Sequence, residues 1–234
     1  VTLTTAASQR LASLAFSRGV CFASAHVLLF TRYLENFSNL ISTAGNIESV
    51  RMCWMDPKIE IRYGEHKQYD SSLPVFVDVL PHVLSSIGIL LPNLPKRCET
   101  LEFMMGGAHL KLNLKYGDIP CGVELCRNGD LRQRVLEVTT THQTFKLDFS
   151  EEPGIIIAGS SITNGDPHWE VKMRPVAQML TAFLQWAGGG EFDSRLSIEV
   201  GLGANQVIDE IYNMYNEALE PWLIAKLSSL DRVD

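Results

Sequence analysis

The stretch PVFVDVLPHVLSSIG, residues 74–88, sets Asp78 four positions ahead of His82. One helical turn apart, a carboxylate and an imidazole can share proton work. The imidazole titrates near neutral pH, so it can take or give a proton at a substrate oxygen or nitrogen. In a helix's first turn the positive end of the helix dipole favours the neutral base, while a nearby carboxylate pushes the other way and orients the ring. The same residues admit a plainer reading: Asp78 caps the helix and His82 is a core histidine with its hydrogen bonds met. Spacing alone does not choose between the two.

Two further stretches carry chemistry-bearing side chains. Residues 57–73, PKIEIRYGEHKQYDSSL, hold Arg62, Tyr63, His66, Lys67 and Tyr69. These donors could hold a carboxylate or a hydroxylated substrate, or could simply be a solvated charged loop. His168 and Trp169 are candidates to line a pocket; the alternative is an ordinary turn with a packed indole. His26 reads as structural, and His109 and His142 sit in strand patterns with nothing convergent around them. The five cysteines are 21, 53, 98, 121 and 126, and the spacing of the last two fits none of the usual zinc pairs. We therefore expect no metal site, and reduced thiols in a cytoplasmic protein.

The elements that must position these residues follow from periodicity. Thr4 or Thr5 caps a helix with Leu11, Leu14 and Ala15 on one side, Gly19 stops it, and VCFASAHVLL reads as a buried strand. Such a helix–strand pair is the closing unit of an α/β sheet whose earlier strands lie outside this sequence. Residues 31–43 are amphipathic, with Tyr33, Leu34, Phe37, Leu40 and Ile41 on one face. IESVRMCWM then alternates as a strand and stops at Asp56-Pro57. Pro81 is expected in the first turn of the next helix, where its missing N–H costs nothing. That helix runs through Val83, Leu84, Ile87 and Leu91. AHLKLNLKYGD, IPCGVELCRNGD, RQRVLEVTTTHQTFKLDFS and GIIIAGS read as an antiparallel meander, with Leu110, Leu112, Leu114, Val123, Leu125, Val135 and Val138 on its apolar face. Two helices close the chain, striped by Val176, Met179, Leu180, Phe183 and Leu184, and by Val207, Ile211, Met214 and Tyr215.

One motif is set aside. GLGANQ at 201–206 nearly matches a dinucleotide turn, after a strand-like RLSIEV, but Gln206 replaces the third glycine and the remaining chain is too short for a βαβ unit. We read the glycines as a loop-to-helix junction and assign no cofactor-binding residue.

The bulk numbers narrow the function class. The chain has 234 residues, 46% hydrophobic and 20% charged, with net charge −7. That supports a folded core and disfavours a nucleic-acid groove or an anionic membrane surface as the main partner. No apolar run reaches the roughly 20 residues of a membrane span.

The succession of elements resembles the C-terminal part of the Gfo/Idh/MocA oxidoreductases. The opening segment through IESV resembles the stretch that follows that family's Glu-Lys-Pro motif. VDVLPHVLSSIGIL resembles its Asp-x-x-x-His segment, with Leu80 and Pro81 where the family more often has a small residue followed by an apolar one. The meander ending FKLDFSEEPG and the last helices resemble its sheet and closing helices. The implied fold is α+β: a largely antiparallel open-faced sheet with helices on one face, preceded by a terminal helix–strand remnant of a Rossmann domain. The implied division is residues 1–30 for that closing unit and 31–234 for a substrate-binding and oligomerising domain. The resemblance also implies that the chain belongs to a longer protein, or is a stand-alone remnant of one. It implies a small-molecule substrate, and NAD or NADP bound mainly by residues outside this chain. Asp78 and His82 would work in proton transfer, with a homo-oligomer formed through the open sheet face. The alternative is a cofactor-free binding or scaffold protein without the Rossmann domain. A lyase or isomerase using the same pair is a third reading, without a feature of its own.

Overall fold

The computed structural model describes residues 4–62, 64–66, 69–70, 72–93, 95–170 and 174–230. Helix α1 spans Thr5–Ser17 and is capped by Thr4, whose Oγ1 accepts from the Ala7 amide at 3.3 Å. Residues 20–26 take no regular structure and lead into a short 3₁₀ turn, Val27–Phe30. The strand expected there does not form: a strand needs a hydrogen-bonding neighbour, and no described strand pairs with this segment. Helix α2, Arg32–Ser42, buries Tyr33, Leu34, Phe37 and Ile41, the face its periodicity predicts.

Strand β1, Ile47–Pro57, begins an eight-stranded sheet. After a small hairpin of β2, Ile61–Arg62, and β3, Glu65–His66, comes helix α3, Val75–Leu90. The sheet continues with β4 (Lys96–Met104), β5 (His109–Tyr116), β6 (Ile119–Gly129), β7 (Gln133–Thr140), β8 (Thr144–Asp148), β9 (Ile155–Ala158) and β10 (Ser161–Asn164). Its order is β10-β9-β8-β7-β1-β6-β5-β4. The meander is thus interrupted: β1 slots between β6 and β7, parallel to the first and antiparallel to the second. Helix α4, Pro175–Ala187, and the long α5, Ile198–Leu230, complete the α+β fold.

Alternation decides which face is dry. Val50 and Met52 of β1, Leu110, Leu112 and Leu114 of β5, Val123 and Leu125 of β6, and Leu136 and Val138 of β7 are all buried. They meet Phe76, Leu80, Val83, Leu84 and Ile87 of α3, with α2 and the buried side of α5 (Val207, Ile208, Ile211). Val135, expected on this apolar face, lines the opposite one. That open face carries a groove of about 330 Å³ over Gly122, between Arg51, Lys111, Glu124 and Glu137. Its lining mixes charged side chains of both signs with apolar ones such as Val135.

Three local expectations change. Pro81 lies past the first turn of α3, which already begins at Val75, so it removes the N–H that would bond the Val77 carbonyl. RLSIEV forms a 3₁₀ turn (Ser194–Leu196) and the start of α5, so Gly201 and Gly203 stand inside a helix, not at a loop junction. Strand β4 was hidden because Lys96, Arg97, Glu99 and Glu102 mask its alternation. None of the helices is long and apolar enough to cross a membrane among the described residues.

Candidate active site at the carboxyl ends of β1 and β6

β1 and β6 run parallel, and α3 lies across them, so the end of this strand pair faces the start of the helix. Four side chains from the inward-facing register gather there: Trp54 and Asp56 of β1, Arg127 of β6 and Arg134 of β7. Asp56, Arg127 and Arg134 are buried, an unusual place for charge unless it is paired. Arg134 is 2% exposed. Its guanidinium donates to the Met55 carbonyl at 2.6 Å, to the Gln133 carbonyl at 2.9 Å, and to the Asp56 carboxylate. Arg127 donates through Nη1 to the carbonyls of Leu73 (2.6 Å) and Asp70 (3.2 Å), and through Nη2 to Asp78 Oδ2 at 3.2 Å. A strand arginine thereby fixes the loop entering α3 and the acid in its first turn.

Asp78 is therefore neither the helix cap nor the hydrogen-bond partner of His82. Pro74 occupies the cap position, with no side-chain bond, and Asp78 is committed to Arg127 while its side chain stays 48% exposed. His82 is half-buried. Its ring stacks nearly parallel on the indole of Trp54, with centroids 5.8 Å apart and planes 10° apart. Its Nδ1 is buried and has no hydrogen-bond partner, so it is not a satisfied core histidine either. Burial lowers the His82 pKa below its ordinary value; Asp78 pulls it back up, and Arg134 pushes it further down. The helix dipole is not the cause, because its effect fades beyond the first turn and His82 lies past it.

His26 belongs to the same neighbourhood. It is 4% exposed, and its ring donates to the carbonyl of Pro81, next to His82 in the chain. Its Nε2 is left without a partner. Burial, then the charge of His82, lowers its pKa to about 4. Both imidazoles thus have pKa values lowered by burial, and each has one unsatisfied nitrogen. Buried polar atoms without partners are rare and call for a ligand, a water or a functional role.

The other expected site residues are less concentrated. Tyr63 and Lys67 lie outside the described residues. Arg62 ends the two-residue strand β2, and His66 is exposed on β3. Tyr69 is anchored: its hydroxyl donates to Glu60 Oε2 at 3.5 Å, and its ring lies 5.4 Å from the Arg127 guanidinium. Arg132 in turn donates to Glu60 at 2.9 Å. The part of the loop near Tyr69 therefore touches the Arg127–Asp78 pair, whereas His66 points to solvent. His168 is exposed in a turn whose amide donates to Asp166 Oδ1 at 3.0 Å. Trp169 packs on Tyr33 and under Arg174, and reaches Trp54 only through the ring chain Tyr33–Phe149.

Trp54, Arg127, Arg134 and His26 were not singled out as site residues. A signal for two of them existed: in alternating strands Arg127 and Arg134, like Asp56, fall on the positions that should be apolar. Two grooves lie away from His82. One is on the open sheet face, and an apolar one of about 210 Å³ lies between residues 21–25 and α4.

No protein-family model matches the sequence, and no curated protein does. Solved structures match by fold. The 3-ketoreductase KijD10 from Actinomadura kijaniata, crystallised with TDP-benzene and NADP, aligns with TM-score 0.70 at 13% identity, covering 89% of this chain and 66% of that one. The dehydrogenase MviM from Clostridium difficile aligns with TM-score 0.68 at 14% identity over 90% of this chain and 67% of that one. UDP-N-acetylglucosamine 3-dehydrogenase GnnA from Acidithiobacillus ferrooxidans aligns with TM-score 0.64 at 16% identity, covering 92% and 69%. These are oxidoreductases of the Gfo/Idh/MocA type, and the α+β architecture here is that of their C-terminal domain. The chain spans about two thirds of their length.

Proposed function

We propose that this chain is the substrate-binding domain of an NAD(P)-dependent oxidoreductase that moves hydride at a C–O or C–N centre. One observation carries the reading: a half-buried imidazole at His82, held neutral and stacked in place, with an unsatisfied ring nitrogen. An alcohol or amine losing hydride must also lose a proton from its heteroatom, and a neutral histidine is the group that takes it near pH 7. In the reverse direction the same ring returns the proton. Asp78, fixed by Arg127, stabilises the charged imidazolium formed in between.

The dinucleotide is held mainly by residues outside this chain. GLGANQ lies within α5, in helix and not in a phosphate-binding turn, and the described residues around His82 fit the proton-handling side of the reaction. The nicotinamide, when bound, supplies or accepts the hydride. NADP in the KijD10 structure supports the use of a dinucleotide. Tyr69 and its loop contribute substrate contacts beside Asp78.

The open sheet face forms a homo-oligomer contact. Arg51 sits beside Glu137 and Lys111 beside Glu124 along its groove, a mixed-charge pattern that can complement its own copy about a twofold axis. Light scattering at micromolar concentration is expected to give a dimer or tetramer; a monomer contradicts the contact.

The functional test is titration of the full-length gene product with NADH and NADPH, followed by a screen of polyols, sugars and imines for cofactor-linked turnover. Saturable cofactor binding with turnover on one of these classes supports the reading. Absence of cofactor binding favours the cofactor-free binding protein.

A further inference from the structure

We propose that Arg134 and Trp54 are positioning residues for His82: an arginine–indole–imidazole assembly that fixes the plane of the ring. The inference rests on His82 being the proton-transfer group.

Trp54 and Arg134 are direct cross-strand partners on β1 and β7. Cross-strand pairs on one face of a sheet are close enough for a guanidinium to lie over an aromatic ring. Here the Arg134 Cζ is 3.8 Å from the centre of the indole. The guanidinium cannot swing away, because two main-chain carbonyls and the Asp56 carboxylate hold it. The indole, pinned by this cation and by an edge contact with Phe149, presents a flat surface to His82 at 10° from parallel. A ring stacked in this way has little freedom to tilt. That matters for proton transfer, which depends on hydrogen-bond reach and alignment.

The assembly also has an electrostatic effect. A fixed cation one ring away raises the free energy of a second cation in a buried site. The charged and titratable groups facing His82 are Asp78 on its own helix, Arg134 from β7 through Trp54, and His26 from the segment before α2. Asp78 favours the imidazolium. Arg134 opposes it, and a proton on His26 would oppose it as well. Burial is the largest of these effects and Asp78 the next, so Arg134, itself ion-paired with Asp56, adds to a lowering that desolvation already sets. The result is a base that takes a proton only in transit and gives it up readily.

Histidine-ring NMR tests this without relying on turnover. Three variants are used. Trp54→Leu removes the stack, Trp54→Phe keeps an aromatic face, and the double variant Asp56→Asn/Arg134→Gln removes the cation without leaving a buried lone charge. In the unaltered protein the His82 ring protons should show a ring-current shift and titrate below the ordinary histidine value of about 6.5. Trp54→Leu should abolish the ring-current shift and Trp54→Phe should largely restore it. The double variant should titrate at higher pH than the unaltered protein. In the direction that needs the neutral base, the acid limb of turnover should move to higher pH with it. Turnover in Trp54→Leu should fall by up to about 10²-fold, with Trp54→Phe recovering most of it.

Unchanged His82 shifts in Trp54→Leu, or an unchanged titration in a folded double variant, overturn the inference. If one variant does not fold, the other still decides. The reading beneath it fails separately: His82→Ala with undiminished turnover removes the proton-transfer role, even if the NMR shifts move as described.

Discussion

Strands β6 and β7 serve two different regions, each with a third strand beside them. Along their middles, β5, β6 and β7 present Leu112, Val123 and Leu136, each 2% exposed or less, to the helices. At the end of β6, the start of β7 and the adjoining end of β1, the same inward register holds Arg127, Arg134, Trp54 and Asp56. The first region is closed and apolar. The second is buried but polar, with unsatisfied nitrogens on His82, His26, Trp54 and Arg127. Burial is an asset in one and a cost in the other, and a fold keeps such a cost where it gains function.

The contrast can be broken from either side. Leu136→Ala, in the dry region, should destabilise the fold by about 2–5 kcal/mol without changing the pH dependence of activity, as read by denaturant melts and pH–rate profiles. In the polar region, His26 provides the next largest effect. Its folded-state pKa of about 4 lies below the ordinary 6.5, so the unfolded chain binds the proton more readily between those values. Stability should therefore be full above about pH 6.5, fall as pH drops through that window, and level off below about 4, a total on the order of 3 kcal/mol. His26→Asn should flatten this slope in melts taken across pH; an equally steep slope would show that His26 is not its source. Asp78→Asn should be the mildest. Its carboxylate is half-exposed and Arg127 keeps its two carbonyl partners, so the stability loss should stay under about 1 kcal/mol.

The comparison also shows what the sequence made legible. Helix α2 was readable because Tyr33, Leu34, Phe37 and Ile41 recur with helical period. Most of β5–β8 was readable because alternation and turn residues mark each strand locally. The insertion of β1 between β6 and β7 was not, since pairing across some 70–90 residues leaves no local trace. For the same reason Asp78 and His82 could be picked out as neighbours on one helix, while Arg127, Arg134 and Trp54 could not. Those three converge only once the register of three strands is known. The strand expected at residues 20–29 failed for the converse reason: its apolar content was right, but the hydrogen-bonding partner that makes a strand is not among the described residues.

The central claim is that a neutral imidazole at position 82 handles the proton while hydride moves elsewhere. Its most direct measurement is cofactor-linked turnover of the full-length gene product with His82→Ala, alongside its thermal melt. The account predicts turnover down by about 10²-fold or more with the melting temperature nearly unchanged. Full turnover with a lowered melting temperature would contradict it, leaving His82 as a packing residue.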